Sequence, residues 1–377
     1  MNDLKIPFYK FESSREAHSN VSDALDGEEI NHVELLEEEF CDYIGCQYAL
    51  ATSHGTSALH LAMLALDLKR GDKVICSVNA HPSVPEVVRH FDAEPIFIDI
   101  EEGSYNISLN KLENYLEDNQ SKKLKAVIVT HIGGVSVDLE RVYAMAKIYG
   151  VKIVEDASDA LGATYKGEKI GATGADIVCF DFSSHLKKNI CNGGMLVTDN
   201  EDIITRARLL SNHAIVRDES AVLEYIYDVV DIGNDYSISQ LNAAYIRAQV
   251  ADQDKNIERQ KEIAQIYNER LAGVAHVTLP SADLEENPCS LYIIKIDKNR
   301  DSFALQLSEE GIGSGLHYIP LHLLSYYKTK YSLRVNDFPV ALRSFQQVLS
   351  LPINASMSDK DVECVVSAIK KIAKTRV

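Results

Sequence analysis

Residues 151–167 read VKIVEDASDALGATYKG, and residues 178–198 read VCFDFSSHLKKNICNGGMLVT. The first stretch predicts a short buried strand over Lys152–Glu155 that runs into an acidic turn at Asp156. The second predicts a β-rich run over Ile177–Phe182 and then a polar loop carrying Ser183, Ser184, His185, Lys187 and Lys188. The pair Gly193–Gly194 and another strand follow. A carboxylate at one strand end and a lysine beyond another suit a pyridine-based aldehyde cofactor. The lysine amine can condense with the aldehyde. The carboxylate can keep the pyridine nitrogen protonated, which makes the ring an electron sink. A surface lysine pair and an ordinary strand-end aspartate would read the same way, so these stretches alone leave both possibilities open.

Upstream, the chain alternates strand and helix. Val33, Leu36, Phe40 and Ile44 recur at helical spacing, with Gly45 as the stop. Tyr48–Thr52 reads as a strand entering Ser53-His54-Gly55-Thr56-Ser57, and Ala58–Leu66 as a helix. A strand that leads through Gly, Thr and Ser into a helix can present backbone N–H groups to a phosphate. It can equally be a plain Ser or Thr cap. Strands at Lys73–Cys76, Pro95–Ile98, Lys125–Thr130 and Val151–Glu155 alternate with helices at Leu109–Leu116 and Leu139–Tyr149. That rhythm predicts a mostly parallel sheet with helices on both faces. Ligands then bind beyond the carboxyl ends of the strands. The Thr56 loop and Asp156 both fall there, and this shared placement favours a functional reading of each.

Residues before Glu28 are polar and lack periodicity, which predicts an irregular arm over 1–30. A large α/β domain is expected over 31–250. Ser239–Leu271 reads as one long bridging helix, and 251–377 as that linker with a smaller α+β domain. In the last part Leu291–Ile296 reads as a strand and Phe303–Glu310 as a helix. Ser358 and Asp361 form a capping box before the final helix.

The 377 residues carry 38 Lys+Arg against 56 Asp+Glu, a formal net charge of −18. Such a balance argues against a nucleic-acid partner, which needs a basic face. No apolar run is long enough to cross a bilayer and no signal peptide is visible, so no membrane partner is expected. The seven cysteines lack CxxC spacing and do not complete a zinc pattern with nearby histidines, which predicts a reduced cytoplasmic protein with no structural metal. Cys191 stands out for lying in the lysine loop.

Taken in order, HGTSALHLAMLAL, GDKVI, PIFIDIEEGSYNI, IVEDASDALGATYKGEKIG, NGGMLVTD, SQLNAAY, GLHYIPLH and VLSLPI form a set whose order and spacing are specific. With them the chain resembles the DegT/DnrJ-type sugar aminotransferases nearly end to end. The resemblance implies the type I fold of pyridoxal-phosphate enzymes, with a seven-stranded, mostly parallel central sheet between helices. It implies pyridoxal 5'-phosphate as cofactor and a ping-pong transfer of an amino group. The donor would be an amino acid, commonly glutamate, and the acceptor a keto-sugar, usually nucleotide-linked. It also implies a homodimer with shared active sites. Carried over by residue, Asp156 pairs with the pyridine nitrogen. Gly55, Thr56, Ser57 and Ser183 hold the phosphate. Asp159 lies near the ring hydroxyl, where relatives usually have Gln. His317, Tyr318 and His322 line the substrate side.

Three places depart from the family pattern. His81 stands where relatives stack an aromatic ring on the cofactor, and an imidazole offers less area. Asp235-Tyr236-Ser237 replaces an Asn-aromatic-Arg segment whose Asn reaches the neighbouring subunit's phosphate; an Asp there repels it. An ungapped match puts Leu186 at the lysine position. Ile190, apolar and two places after Lys188, favours Lys188 as the reacting amine, with Lys187 second. His185 keeps a second function open, a sugar dehydratase in which a His replaces the lysine. The departures at Asp235 and Ser237 keep open a third, a catalytically silent relative that binds or regulates.

Overall fold

The computed structural model of the chain describes residues 4–10, 13–27, 30–182, 191–217, 226–281 and 283–376. Ser183, His185, Lys187 and Lys188 lie outside the described residues.

The sheet that carries the site is built from strands joined by helical crossovers. Helices α1 (Arg15–Asp26) and α2 (His32–Ile44) come first, then strand β1 (Tyr48–Thr52) and helix α3 (Gly55–Ala65). Next come β2 (Lys73–Ser77), α4 (Ser83–Arg89), β3 (Glu94–Ile98), α5 (Leu109–Asp118), β4 (Leu124–Thr130), α6 (Leu139–Tyr149) and β5 (Lys152–Asp156). A two-residue hairpin, β6 (Thr164–Tyr165) and β7 (Glu168–Lys169), leads to β8 (Ile177–Asp181), β9 (Gly194–Thr198) and α7 (Glu201–Leu210). The central sheet has seven strands in the order β1-β9-β8-β5-β4-β2-β3. Strand β9 runs antiparallel to both neighbours, and the pairs on the β5 side are parallel. The expected α/β architecture, with a mostly parallel seven-stranded sheet, is therefore the one observed.

Local signals explain most elements. In α2, Asn31 caps the start by accepting from the Glu34 N–H, and Gly45 closes it at φ 90°. Leu36, Phe40 and Ile44 form its buried stripe. Helix α1 is a correction to the expected irregular arm. Ser14 accepts from the Ala17 N–H and Gly27 ends the helix at φ 74°. Only Ala17 is buried along it, so no apolar period announces this helix.

The expected single helix over Ser239–Leu271 is also corrected. It is two helices, α8 (Gln240–Ala251) and α9 (Gln253–Leu271), that meet at Asp252, where ψ flattens to −2°. Ala243, Ala248 and Val250 of α8 pack into one core with Phe40 and Phe180. Ile263, Tyr267 and Leu271 of α9 pack into another with Phe303 and Ile369. Two apolar faces aimed at two cores need a change of direction, and charged surface residues hide it in the sequence.

Between α7 and α8, β10 (Ile215–Arg217) and β11 (Tyr227–Val229) pair as a surface hairpin. The C-terminal part holds a three-stranded antiparallel sheet of β12 (Val277–Thr278), β13 (Tyr292–Ile296) and β14 (Val348–Leu351). Helices α10 (Arg300–Glu309) and α13 (Asp359–Lys374) cover it, and α11 (Ser325–Lys330) and α12 (Pro339–Gln347) fill the return. The capping box of α13 forms as expected, with Ser358 and Asp361 each accepting from the other's N–H. Helix α12 has no local cap. Asp99, just past β3, accepts from the Val340 and Ala341 N–H groups at 3.2 and 2.9 Å, so a residue 241 positions away starts it. No helix among the described residues is long and apolar enough to cross a membrane.

Candidate active site

Asp156 is the last residue of β5, and the ladder fixes it from both sides: it is in register with Thr130 of β4 and Cys179 of β8. Its side chain is buried. One carboxylate oxygen accepts from the Ser158 hydroxyl at 2.5 Å and the Ser158 N–H at 3.2 Å. The other accepts from the Thr130 hydroxyl at 3.3 Å. Burial raises its pKa, Asp181 adds to the rise, and the Ser158 hydrogen bonds oppose it. A buried carboxylate of this kind gains most from a cationic donor, which a protonated pyridine nitrogen supplies.

The next turn brings in Asp159, also buried, whose Oδ2 accepts from the Gly133 N–H at 3.1 Å. Tyr318 sits under the same charges. Burial raises its pKa first, followed by Asp159, Asp156, Tyr9 and Asp181. Its backbone N–H donates to Asn79 Oδ1 at 3.2 Å, and its ring lies edge-on to His81 with centroids 6.1 Å apart. Asp156, Asp159, Tyr318 and His81, which the sequence reading named separately, thus come together at the carboxyl ends of the strands.

His317 joins them through the N-terminal segment. Its Nε2 lies 3.3 Å from the Tyr9 hydroxyl, its Nδ1 lies 2.9 Å from the Ser350 hydroxyl, and its ring stacks on Phe8. Burial and Asp159 raise the Tyr9 pKa, so Tyr9 remains a neutral phenol here.

The α3 end of the site depends on glycine. The Ala58 N–H makes the first helical bond, to the His54 carbonyl, so the N–H groups of Gly55, Thr56 and Ser57 precede the helical ladder. The Ser57 hydroxyl is 3.0 Å from that of Ser53. A Cβ on Gly194 would lie 2.4 Å from the His54 carbonyl oxygen and 2.6 Å from the Gly55 nitrogen. Glycine in β9 is what lets the α3 turn rest on the sheet. A Cβ on Gly55 would lie 2.4 Å from the Asp181 Cβ, which places the Asp181 side chain directly against the helix start.

Two predicted residues lie elsewhere. His322 is fully buried beside Phe338, with Nε2 donating to the Val335 carbonyl at 3.1 Å. Burial lowers its pKa. Asp235 is exposed, and hydrogen bonds from Ser237, its hydroxyl first and then its N–H at 2.9 Å, lower its pKa. Cys191 is buried, which raises its thiol pKa to about 11 and leaves it unreactive near neutral pH. No group of His, Cys, Asp and Glu among the described residues could hold a metal ion.

Sequence reasoning missed Tyr9, Asn79, Asp181 and a buried pair behind Asp156. In that pair the Val137 N–H donates to His131 Nδ1, so His131 Nε2 carries the hydrogen and donates to Glu155 at 3.2 Å. The Tyr143 hydroxyl donates to the other Glu155 oxygen at 2.5 Å. A clue existed: Glu155 directly follows the apolar pair Ile153–Val154 inside a strand.

The sequence matches the DegT/DnrJ/EryC1/StrS aminotransferase family over residues 12–370. The chain belongs to that family. It is 33% identical to the spore coat polysaccharide biosynthesis protein SpsC of Bacillus subtilis, over 91% of this chain and 90% of that one. Its fold is similar to that of DesV of S. venezuelae, with TM-score 0.86 and 26% identity over 96% of this chain and 95% of that one. It also superposes on PseC of Helicobacter pylori, an aminotransferase involved in the biosynthesis of pseudoaminic acid, with TM-score 0.87 and 20% identity over 98% and 100% of the two chains. The fold is thus that of the pyridoxal-phosphate transferases. Sugar aminotransferases of the DegT/DnrJ/EryC1/StrS family depend on pyridoxal 5'-phosphate. Two features of the site suit that cofactor: the buried, hydrogen-bonded Asp156 at one end, and at the other the Gly55, Thr56 and Ser57 N–H groups that precede the helical ladder of α3.

Proposed function

We propose that this chain transfers an amino group from an amino acid, glutamate first among donors, to a nucleotide-linked keto-sugar by a ping-pong cycle. The observation that carries the reading is the buried Asp156, locked at the end of β5 in a chain of this aminotransferase family. When bound, the cofactor supplies an electron sink and an amine carrier. The protein does the rest. Asp156 holds the ring nitrogen protonated, and Ser158 and Thr130 aim its two oxygens. Gly55, Thr56 and Ser57 bind the phosphate, with Ser183 as a further hydroxyl and Asp235 reaching the site of a second subunit. His81 would cover the ring, Asp159 would serve its hydroxyl, and Lys188, or Lys187 in its place, would be the reacting amine. His185, His317 and Tyr318 belong to the substrate side; His322, expected there from the sequence, packs against Phe338 instead.

A nucleotide-linked acceptor is supported by the cleft. A cavity of about 360 Å3 reaches Asp159 and Asp181. It shares Gln249, Gln253, Asn256 and Ser290 with an outer cavity of about 570 Å3, where Lys10, Lys255 and Arg259 gather in an otherwise acidic chain. Cations there suit a diphosphate.

A homodimer with shared sites belongs to the same proposal. Ile226, Tyr227, Val229, Val230 and Ile232 are all exposed on and beside the β10–β11 hairpin, an apolar surface that a second copy would cover. So does the division into an arm (1–30), a large domain (31–250) and a smaller C-terminal domain (251–377), which the change of direction at Asp252 supports. A cytoplasmic setting agrees with seven free cysteines.

The test is turnover. Protein loaded with pyridoxal phosphate and given glutamate should convert at least one member of a panel of nucleotide-linked keto-sugars to the amino-sugar, read by mass. Conversion of free keto-sugars alone would remove the nucleotide, and conversion of none would sink the reading.

A further inference from the structure

The start of α3 does not face an empty cup. Asp181, the last residue of β8, is paired with Gly194 of β9, and the Phe182 N–H donates to the Gly193 carbonyl at 3.0 Å. That ladder holds the Asp181 side chain over Gly55. A Cβ built on Gly55 would meet Asp181 Cβ at 2.4 Å, Cγ at 2.7 Å and Oδ2 at 2.9 Å. The carboxylate therefore lies against the first residue of an 11-residue helix, at its positive end, where an anion is held best.

From this contact we infer that Asp181 sets the cofactor preference of the site. Its carboxylate competes with the cofactor's phosphate for the N-terminus of α3, so the chain holds the phosphorylated cofactor more weakly than a neutral side chain at 181 would allow. The inference rests on the reading above, in which Gly55, Thr56 and Ser57 take the phosphate.

Three observations support it. A carboxylate at a helix N-terminus is favoured by the same dipole as a phosphate, so the two compete for that place. Asp181 is set on a strand end rather than on a loop, and its backbone cannot withdraw without breaking the Gly194 pairing. Its charge is also felt across the site: it is among the groups that raise the pKa of Asp156, Tyr318 and Cys191. Asp159 and Asp181 thus line one cavity and Asp156 feels the Asp181 charge, an arrangement that accepts the cationic ring at the Asp156 end and resists a dianion at the other.

The experiment measures binding rather than turnover. Equilibrium dialysis of pyridoxal phosphate and of pyridoxal, which lacks the phosphate, is run on the wild-type chain, Asp181→Asn and Asp181→Ser. Thermal melts confirm the fold, and the near-isosteric Asn variant carries the test if the Ser variant unfolds. Removing one negative charge beside a phosphate should tighten pyridoxal phosphate by roughly tenfold or more and leave pyridoxal within about twofold. Equal affinity of wild type and both variants for pyridoxal phosphate overturns the inference and leaves the cofactor reading standing. An equal gain for pyridoxal also overturns it, since the effect would then lie outside the phosphate. Failure of all three proteins to bind pyridoxal phosphate overturns both.

Discussion

The carboxyl ends of β5 and β8 carry the same side chain in two different settings. At the β5 end Asp156 is buried and accepts three hydrogen bonds from Thr130 and Ser158. At the β8 end Asp181 is only half-buried and lies against a glycine at a helix start. The first arrangement orders a carboxylate to meet a cation. The second puts a carboxylate where an anion would otherwise go. The neighbours decide what each aspartate does, and the strand end only decides that both face the ligand.

Asp156→Asn tests the β5 end hardest. The amide fits the same space and keeps the Ser158 N–H contact, so the melting temperature should stay close to wild type. Transamination should fall by about 100-fold or more, because a neutral amide cannot stabilise a protonated ring. Near-native turnover would mean that the two ends do not differ as described.

Gly194→Ala strikes the other end. The new methyl meets the His54 carbonyl oxygen at 2.4 Å, and that atom is backbone with nowhere to turn. The α3 turn must shift, at a cost of roughly 1–3 kcal/mol in urea unfolding, with weaker pyridoxal phosphate binding. Unchanged stability would show that the close approach of β9 to the helix start is not required.

Much of this was legible in the sequence. The βα rhythm placed the sheet, and EDASDA and HGTS placed the two strand-end turns, because both signals are local. What escaped was set by distant partners. Asp181 stands in a β-rich run that sequence alone cannot place beside Gly55, 126 positions earlier in the chain. Tyr9 reaches His317 across 308 positions. Helix α1 lacks an apolar stripe, and α12 takes its cap from Asp99. The same distance explains His322. Its motif, HYIPLH, put it with His317, yet the short helical turn at Leu321–Leu323 rotates it into the Phe338 packing.

Tyr9→Phe sharpens the comparison at the roof above the β5 end. It removes the hydroxyl that meets His317 at 3.3 Å and keeps the ring contact with Phe8. A lost hydrogen bond of about 1 kcal/mol should raise the KM for the keto-sugar several-fold and leave the amino-donor half-reaction unchanged. An equal effect on both half-reactions would place Tyr9 with the cofactor instead.

The smallest effect concerns pH and the helix that Asp181 touches. His60 on α3 has its Nδ1 2.5 Å from the Tyr236 hydroxyl, and burial first, then His90, lowers its pKa from 6.5 to about 4. Between those values the unfolded chain binds the proton and the folded chain does not, so stability falls as pH drops from 6.5 towards 4. Urea midpoints across that window should decline for the wild-type chain and decline less for His60→Gln. Matching declines would assign the acid sensitivity elsewhere.

The central claim is that the end of β5 runs an amino transfer. It is tested most directly by a single half-reaction: protein loaded with pyridoxal phosphate, glutamate added, no sugar present, and 2-oxoglutarate counted by mass. The account predicts about one equivalent of oxo-acid per loaded site from the wild-type chain and almost none, in the same time, from Asp156→Asn. No oxo-acid from the loaded wild-type chain with glutamate or any other amino acid, or equal yields from the two proteins, would contradict it.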